Sequence, residues 1–487
     1  MPFAKRSTMT GTFHARIPYE SLDPLTIGVM DDESNVRREE LELDIPERNL
    51  LAAIYPDEPP AVKNTTDEAR RALANPVAGP SLAQLLEGGR SITVIIDNQF
   101  RPTPASKILP AVLDEIERAG TTRATVITGN GKVISMSQRD IEQKVGRDNL
   151  ARMARLGIPL LQNDPLNYDA YTYLGITSRG TPAWVHESVT SHDVVIAIGQ
   201  AQANHWGYGG GGKLVMPGVC ADITIEANHG NFVMSPQTHY GALAGPMRSD
   251  IDEIATMAGL TATLDVLLDT RGKVIEMNFG AHPVSHRRTI ERFNEIYAFD
   301  SPVAESGPAD IVICGVFAPT DHLFFHTGWG CMSADHVVRD GGTVIYTSPS
   351  PGVRTETGFF PGLALMDLMK PYMPPSEAGY HRLLGDIHAR EIQMWAGCIW
   401  APIYEVMVRK HLTLVTLEEN LAMAEDIGID ATTSLDAAFA AAMERHGPDA
   451  KVAILPFARY QLPRELVRLD AQPLRFPQEA FPQEAPR

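Results

Sequence analysis

Residues 91–129 read SITVIIDNQFRPTPASKILPAVLDEIERAGTTRATVITG. SITVIID (91–97) is a short, unbroken apolar run of the kind a buried strand needs. NQFRPTP then supplies a turn, and SKILPAVLDEIERAG reads as a helix ending on Gly120. RATVITG (123–129) returns to a strand. Strand, helix and strand in this order argue for a parallel sheet with helices on both faces.

The rhythm continues outward. A helix is expected around SQRDIEQKVG and a strand at DVVIAIG (193–199). In the second half, ADIVICG (309–315), TVIYTS (343–348), KHLTLVT (410–416) and AKVAILP (450–456) read as strands, with a helix between the first two. The fold class predicted is α/β: two α/β domains with mainly parallel sheets and an active site in the cleft between them. The domains are expected at 1–275 and 276–487, with VIEMNFGAHPVSHRR (274–288) carrying the crossover. The first 40 residues read as a loose polar arm, and DDESNVRREELELD (31–44) as solvated. The tail RFPQEAFPQEAPR repeats FPQEA and reads as flexible.

Composition narrows the function. The chain has 487 residues, 44% hydrophobic and 21% charged, with a formal net charge of −18. Such a surface repels phosphate backbones and argues against nucleic-acid binding, while a small anionic ligand can still meet a local basic pocket. The four cysteines, Cys220, Cys314, Cys331 and Cys398, make no CxxC pair, so neither a disulfide scaffold nor a structural zinc site is expected. The N-terminus lacks an apolar signal region, and no apolar run reaches the roughly 18 residues of a membrane span. Reduced thiols in a cytoplasmic protein are the expectation.

In open parallel sheets, ligands sit beyond the C-terminal ends of strands. Two loops hold that position and emerge at one sheet edge. One is DNQFRPTP; the other is NHWGYGGGGKLVMPGVCADITIEANH (204–229). The second contains GxxxxGK, but Leu214 follows where a nucleotide-hydrolysing loop needs Ser or Thr, and Pro217 would interrupt the required helix. A plain linker would not be hemmed by His205, Trp206 and Tyr208. Glycines among aromatics suggest close approach of backbone to a ligand.

The order GYGGGGK, LVMPGV, TIEANH resembles the signature segment of the nickel-dependent lactate racemase family. IPERNLLAAIYPDEPP, DNQFRPTPASKILPAVLDEIERAG, LGITSRGTPAWVHESVTSHDVVIAIG and GPMRSDIDEIA resemble further family blocks in the same order, over most of residues 40–415. The resemblance implies a nickel-pincer nucleotide cofactor, proteins that build it, and a small hydroxy-acid substrate. It makes residues 1–275 the cofactor-binding domain. It assigns Lys213 as the covalent tether and His229, sixteen residues on, as the nickel ligand. Gly209, Gly210, Gly211 and Gly212 would cradle the cofactor, with Asn98 and Arg101 beside it.

The family reaction inverts a 2-hydroxy acid through a keto acid, using two histidine bases. Here the sequence departs from the pattern. Gly131 stands at the first histidine's place and Lys132 follows; Ala203 stands at the second, with His205 two residues later. His205, Arg101, Lys132 and His326 are therefore the candidate catalytic residues, and lactate is not the expected substrate. His282 and His286 read as structural or surface residues. An epimerase or racemase with altered bases is the leading expectation. Another redox or isomerisation reaction on the same cofactor, or cofactor binding without turnover, stands beside it.

Overall fold

The computed structural model describes residues 11–22, 36–232, 235, 239–242, 244–315, 324–350 and 365–467. Two six-stranded sheets organise them. In the first, the order is Val274–Ala281, Ala262–Leu268, Val194–Gln200, Ile92–Asp97, Ala124–Gly129, Leu160–Gln162. All pairs are parallel except the first, which is antiparallel. In the second, Asp430–Thr432, His411–Val415, Val338–Thr347, Ala309–Gly315, Val452–Leu455 and Leu50–Ala53 are all parallel neighbours. The α/β class and the mainly parallel sheets expected from sequence are what the chain forms. Ile92–Asp97 is buried along its whole length because helices cover both faces of the sheet. Gly120 follows the helix Ala105–Arg118 with φ +67°, the conformation a chain reversal there requires.

Each sheet reverses its winding once. From Ile92–Asp97 the chain steps outward through two strands, then returns to Val194–Gln200 on the opposite side. From Ala309–Gly315 it steps outward through three, then returns to Val452–Leu455. Loops leaving such a strand pair diverge and open a crevice. The two sheets touch near these points: Gln200 Nε2, at the end of one returning strand, donates at 2.7 Å to the hydroxyl of Tyr460, which follows the other.

Three expectations need correction. Residues 12–18 are no loose arm: Thr12–Pro18 pairs antiparallel with Glu40–Pro46. Ala15, Ile17, Leu43 and Ile45 of this hairpin bury against Ile311, Ile313 and Ile454. Acidic residues alternate with Leu41, Leu43 and Ile45, and that period of two is a half-buried strand. Val274–Ala281 is an edge strand of the first sheet rather than a crossover, and the helix Val284–Tyr297 packs back on that sheet. The division at residue 275 stays a proposal; a cut there would part Leu50–Ala53 from the sheet it completes. The FPQEA tail lies outside the described residues. Among the described residues no helix is long and apolar enough to cross a membrane.

If the N-terminal hairpin is core, Ile45→Ala should lower unfolding free energy by about 2–5 kcal/mol. Urea unfolding measures this, and a loss below about 0.5 kcal/mol would mean the hairpin is dispensable.

Candidate active site

The first site loop begins at Asp97, on the end of its strand. Lys144, from the helix Gln138–Val145, is fully buried beneath it. Its Nζ reaches Asp97 Oδ1 at 2.6 Å, Arg101 O at 2.9 Å and Thr103 O at 3.0 Å. Three acceptors satisfy all three ammonium protons, which is what a buried cation requires. Thr103 donates to the same Asp97 carboxylate. Asn98 Oδ1 accepts from the Phe100 N–H at 3.0 Å and its Nδ2 donates to Gly129 O at 3.3 Å, so this amide braces two loops. Arg101 is thereby held at the crevice.

The second loop opens with a small hairpin, Ala203–Asn204 against Gly207–Tyr208, with His205 and Trp206 at its tip. The glycines come next. Gly210 has φ +78° and Gly211 φ +57°. The Gly211 N–H donates to Asp265 Oδ1 at 3.0 Å, and His286 Nε2 donates to Gly209 O at 2.7 Å. A Cβ on Gly211 would lie 2.6 Å from His286 Cγ, and one on Gly212 2.8 Å from Asp252 Oδ1. Gly209 and Gly210 line the crevice, whereas Gly211 and Gly212 pack against the protein. Half of the glycine run therefore serves the loop's own packing. Gly211–Leu214 is a single 3-10 turn and not the helix of a nucleotide-hydrolysing loop. His282 and His286 are buried structural supports rather than surface residues.

Lys213 and His229 converge on one indole. Lys213 Nζ lies 5.1 Å from the Trp206 ring centroid, and the His229 ring lies 4.5 Å from it, edge to face. The His205 ring is 3.9 Å from the same indole. His229 sits on the buried face of Asp222–Phe232, where Nδ1 donates to Ile225 O at 3.1 Å. That bond places the proton on Nδ1 and leaves Nε2 as the basic nitrogen. Burial, then the charges of Arg248 and Arg101, push the Lys213 amine well below the usual lysine range. Burial first, then Lys213, likewise push His205 and His229 well below the usual imidazole range.

These loops line a small open crevice. Asn98, Arg101, Trp206, Gly209, Gly210 and Lys213 all line it. Neither His205 nor His229 is among the lining residues, and neither is Lys132. Its Nζ pairs with Asp222 Oδ1 at 2.5 Å and with the Glu226 carboxylate, both on the helix that carries His229. His326 lies in the helix Phe324–Asp335, but its side chain falls outside the described residues. Among the described residues no three His, Cys, Asp or Glu side chains cluster to hold a metal ion. All four cysteines are buried and unbridged. The sequence reading missed Gln200 and Gln202, although the strand-end rule points at them, and it missed Lys144, Asp265 and Arg248, whose partners are distant in sequence.

Residues 37–241 match the lactate racemase N-terminal domain. Lactate racemase of Thermoanaerobacterium thermosaccharolyticum is 23% identical over 426 residues, 86% of this chain and 96% of that protein. The Lactiplantibacillus plantarum lactate racemase is 23% identical over 398 residues, 80% of this chain and 89% of that one. The chain is thus similar to lactate racemases over most of its length. The structure of the T. thermosaccharolyticum lactate racemase apoprotein shares its fold, with TM-score 0.78 and 21% identity over 92% of this chain and 100% of that one. A Thermotoga maritima protein of known structure is similar at TM-score 0.61 and 13% identity, covering 84% and 99%.

Two supports of the glycine loop titrate in opposite senses. Burial lowers His282 from 6.5 to about 4, so the folded chain resists a proton that the unfolded chain takes, and stability falls as pH drops from about 6.5. Burial raises Asp265 from 3.8 to about 6, so stability rises as pH drops through about 6. At about 1.4 kcal/mol per unit, each effect is roughly 3 kcal/mol and they nearly cancel. Removing one should expose the other. Urea unfolding at pH 7 and pH 4.5 should show His282→Asn gaining stability relative to the parent on acidification, and Asp265→Asn losing it. Parallel pH curves for parent and variants would exclude these assignments.

Proposed function

We propose that the protein is an isomerase, a nickel-pincer-nucleotide-dependent racemase or epimerase that inverts a 2-hydroxy acid other than lactate. The observation that carries this reading is the meeting of Lys213 and His229 across the Trp206 indole. The residues present fit the cofactor. Acylating a lysine needs its neutral amine, and the burial of Lys213 favours that form. Binding nickel through imidazole needs a lone pair on a fixed tautomer, and the bond to Ile225 O fixes it on His229 Nε2. A single histidine is a sufficient protein ligand when the bound group brings the remaining donors.

When bound, the cofactor supplies a reversible hydride acceptor. The chain supplies the rest. Arg101, at the crevice wall, holds the substrate carboxylate through charge-assisted hydrogen bonds. His205, kept neutral by burial, accepts the hydroxyl proton on one face. For the other face, Lys132 is a poor base, since two carboxylates hold its ammonium. His326 is then the remaining candidate proposed from sequence. Gly131 lines the crevice and Ala203 is buried in its wall, at the places where the family pattern has its two histidines.

Protein made in a host that produces the cofactor should carry close to one nickel per chain and a mass shift on the peptide containing Lys213. An unmodified Lys213 under those conditions excludes the covalent cofactor. His205→Ala should keep its nickel and lose about 100-fold or more in isomerisation rate; undiminished turnover would place the base elsewhere.

A further inference from the structure

We infer that Gln200 and Gln202 recognise hydroxyl groups, and that the acid this site takes is polyhydroxylated beyond its second carbon. The inference rests on the function proposed above. Both glutamines line the crevice where Val194–Gln200 leaves its sheet. Gln202 is 3% exposed, and its side-chain carbonyl meets no donor among the described residues. Gln200 is 5% exposed; its Nε2 donates to Tyr460, and its carbonyl likewise meets no donor among them. The other three amides on the wall are already engaged: Asn98 braces Phe100 and Gly129. Asn130 joins Ile134 O and Thr128, and Asn204 Oδ1 accepts from the Trp206 N–H.

A buried carboxamide without a partner costs free energy until a ligand supplies one. In this orientation a carboxylate or phosphate has no proton to give the two carbonyls, and an alkyl chain leaves the amides unmet in either orientation. A hydroxyl both donates and accepts. Rotating either amide by half a turn exchanges its donor and acceptor, and a hydroxyl serves both. The hydroxyls could belong to the sugar of the cofactor or to the substrate. Gln202 favours the substrate: it stands three residues before His205, and its backbone carbonyl ties down Gly209 beside the hairpin. A site built to bond a hydroxyl discriminates strongly against analogues lacking it.

Calorimetry on the loaded full chain should compare a six-carbon aldonate with 2-hydroxyhexanoate. The aldonate should bind at least ten-fold more tightly. Gln202→Met and Gln200→Met, each of near-equal volume and checked for folding by thermal melting, should each cut that preference about ten-fold. No preference in the parent, or a preference that survives both changes, overturns the inference. Nicotinamide mononucleotide binding to the unloaded chain separates the sources. If the variants lose that binding while the aldonate preference survives, the hydroxyls are the cofactor's and the substrate assignment is wrong. Should Lys213 prove unmodified and nickel absent, the proposed function fails. The aldonate preference of the unloaded chain then still decides the role of the glutamines.

Discussion

Two neighbouring parallel strands whose connections run in opposite directions cannot close over their own ends. Ile92–Asp97 and Val194–Gln200 are such a pair, and everything chemical in the N-terminal half follows from the crevice between them. Asp97 begins one wall and Gln200 the other. Each loop then needs its own anchoring, because neither can lean on a continuing strand. Lys144 anchors the first from below, and Asp265 with His286 anchors the second from behind. The second sheet repeats the reversal and brings Tyr460 to meet Gln200.

That anchoring places charge where water is excluded, which is costly unless every group is answered. Lys144 is answered by a carboxylate and two carbonyls. Asp265 is answered by the Gly211 N–H and the Thr263 hydroxyl, which accepts only part of the burden, and its carboxyl is raised to about 6. The imidazoles around the loop escape the cost by staying neutral. The same dry surroundings that shape the loop also push Lys213, His205 and His229 toward their uncharged forms, the forms that the proposed tethering, proton acceptance and metal ligation would use. Folding and chemistry here ask for the same thing.

The strands were legible because a parallel strand covered on both faces has to be apolar throughout, and ITVIID and VVIAIGQ largely are. Glu40–Pro46 was obscured because its outward positions are acidic and the eye follows charge before alternation. Asn98, Arg101 and Lys213 could be named in advance as motif residues near strand ends, and all three line one crevice, while His229 sits on a helix beside the Trp206 indole. The purpose of Gly211 and Gly212 could not be read, since His286 and Asp252 crowd them from 75 and 40 residues away. Lys132 was misread for the same reason: nothing local announces Asp222 and Glu226 as its partners. Gln200 and Gln202 are neutral and carry no motif, so only the topology marks them.

At the place that the resemblance assigns to a histidine, this chain has a glycine, Gly131, at φ +56°. The next residue is drawn away into an ion pair with the helix that bears His229. Putting the histidine back would strain the backbone, and releasing Lys132 would leave two carboxylates unbalanced beside that helix. A side chain at position 131 would therefore ask the turn around it to change as well.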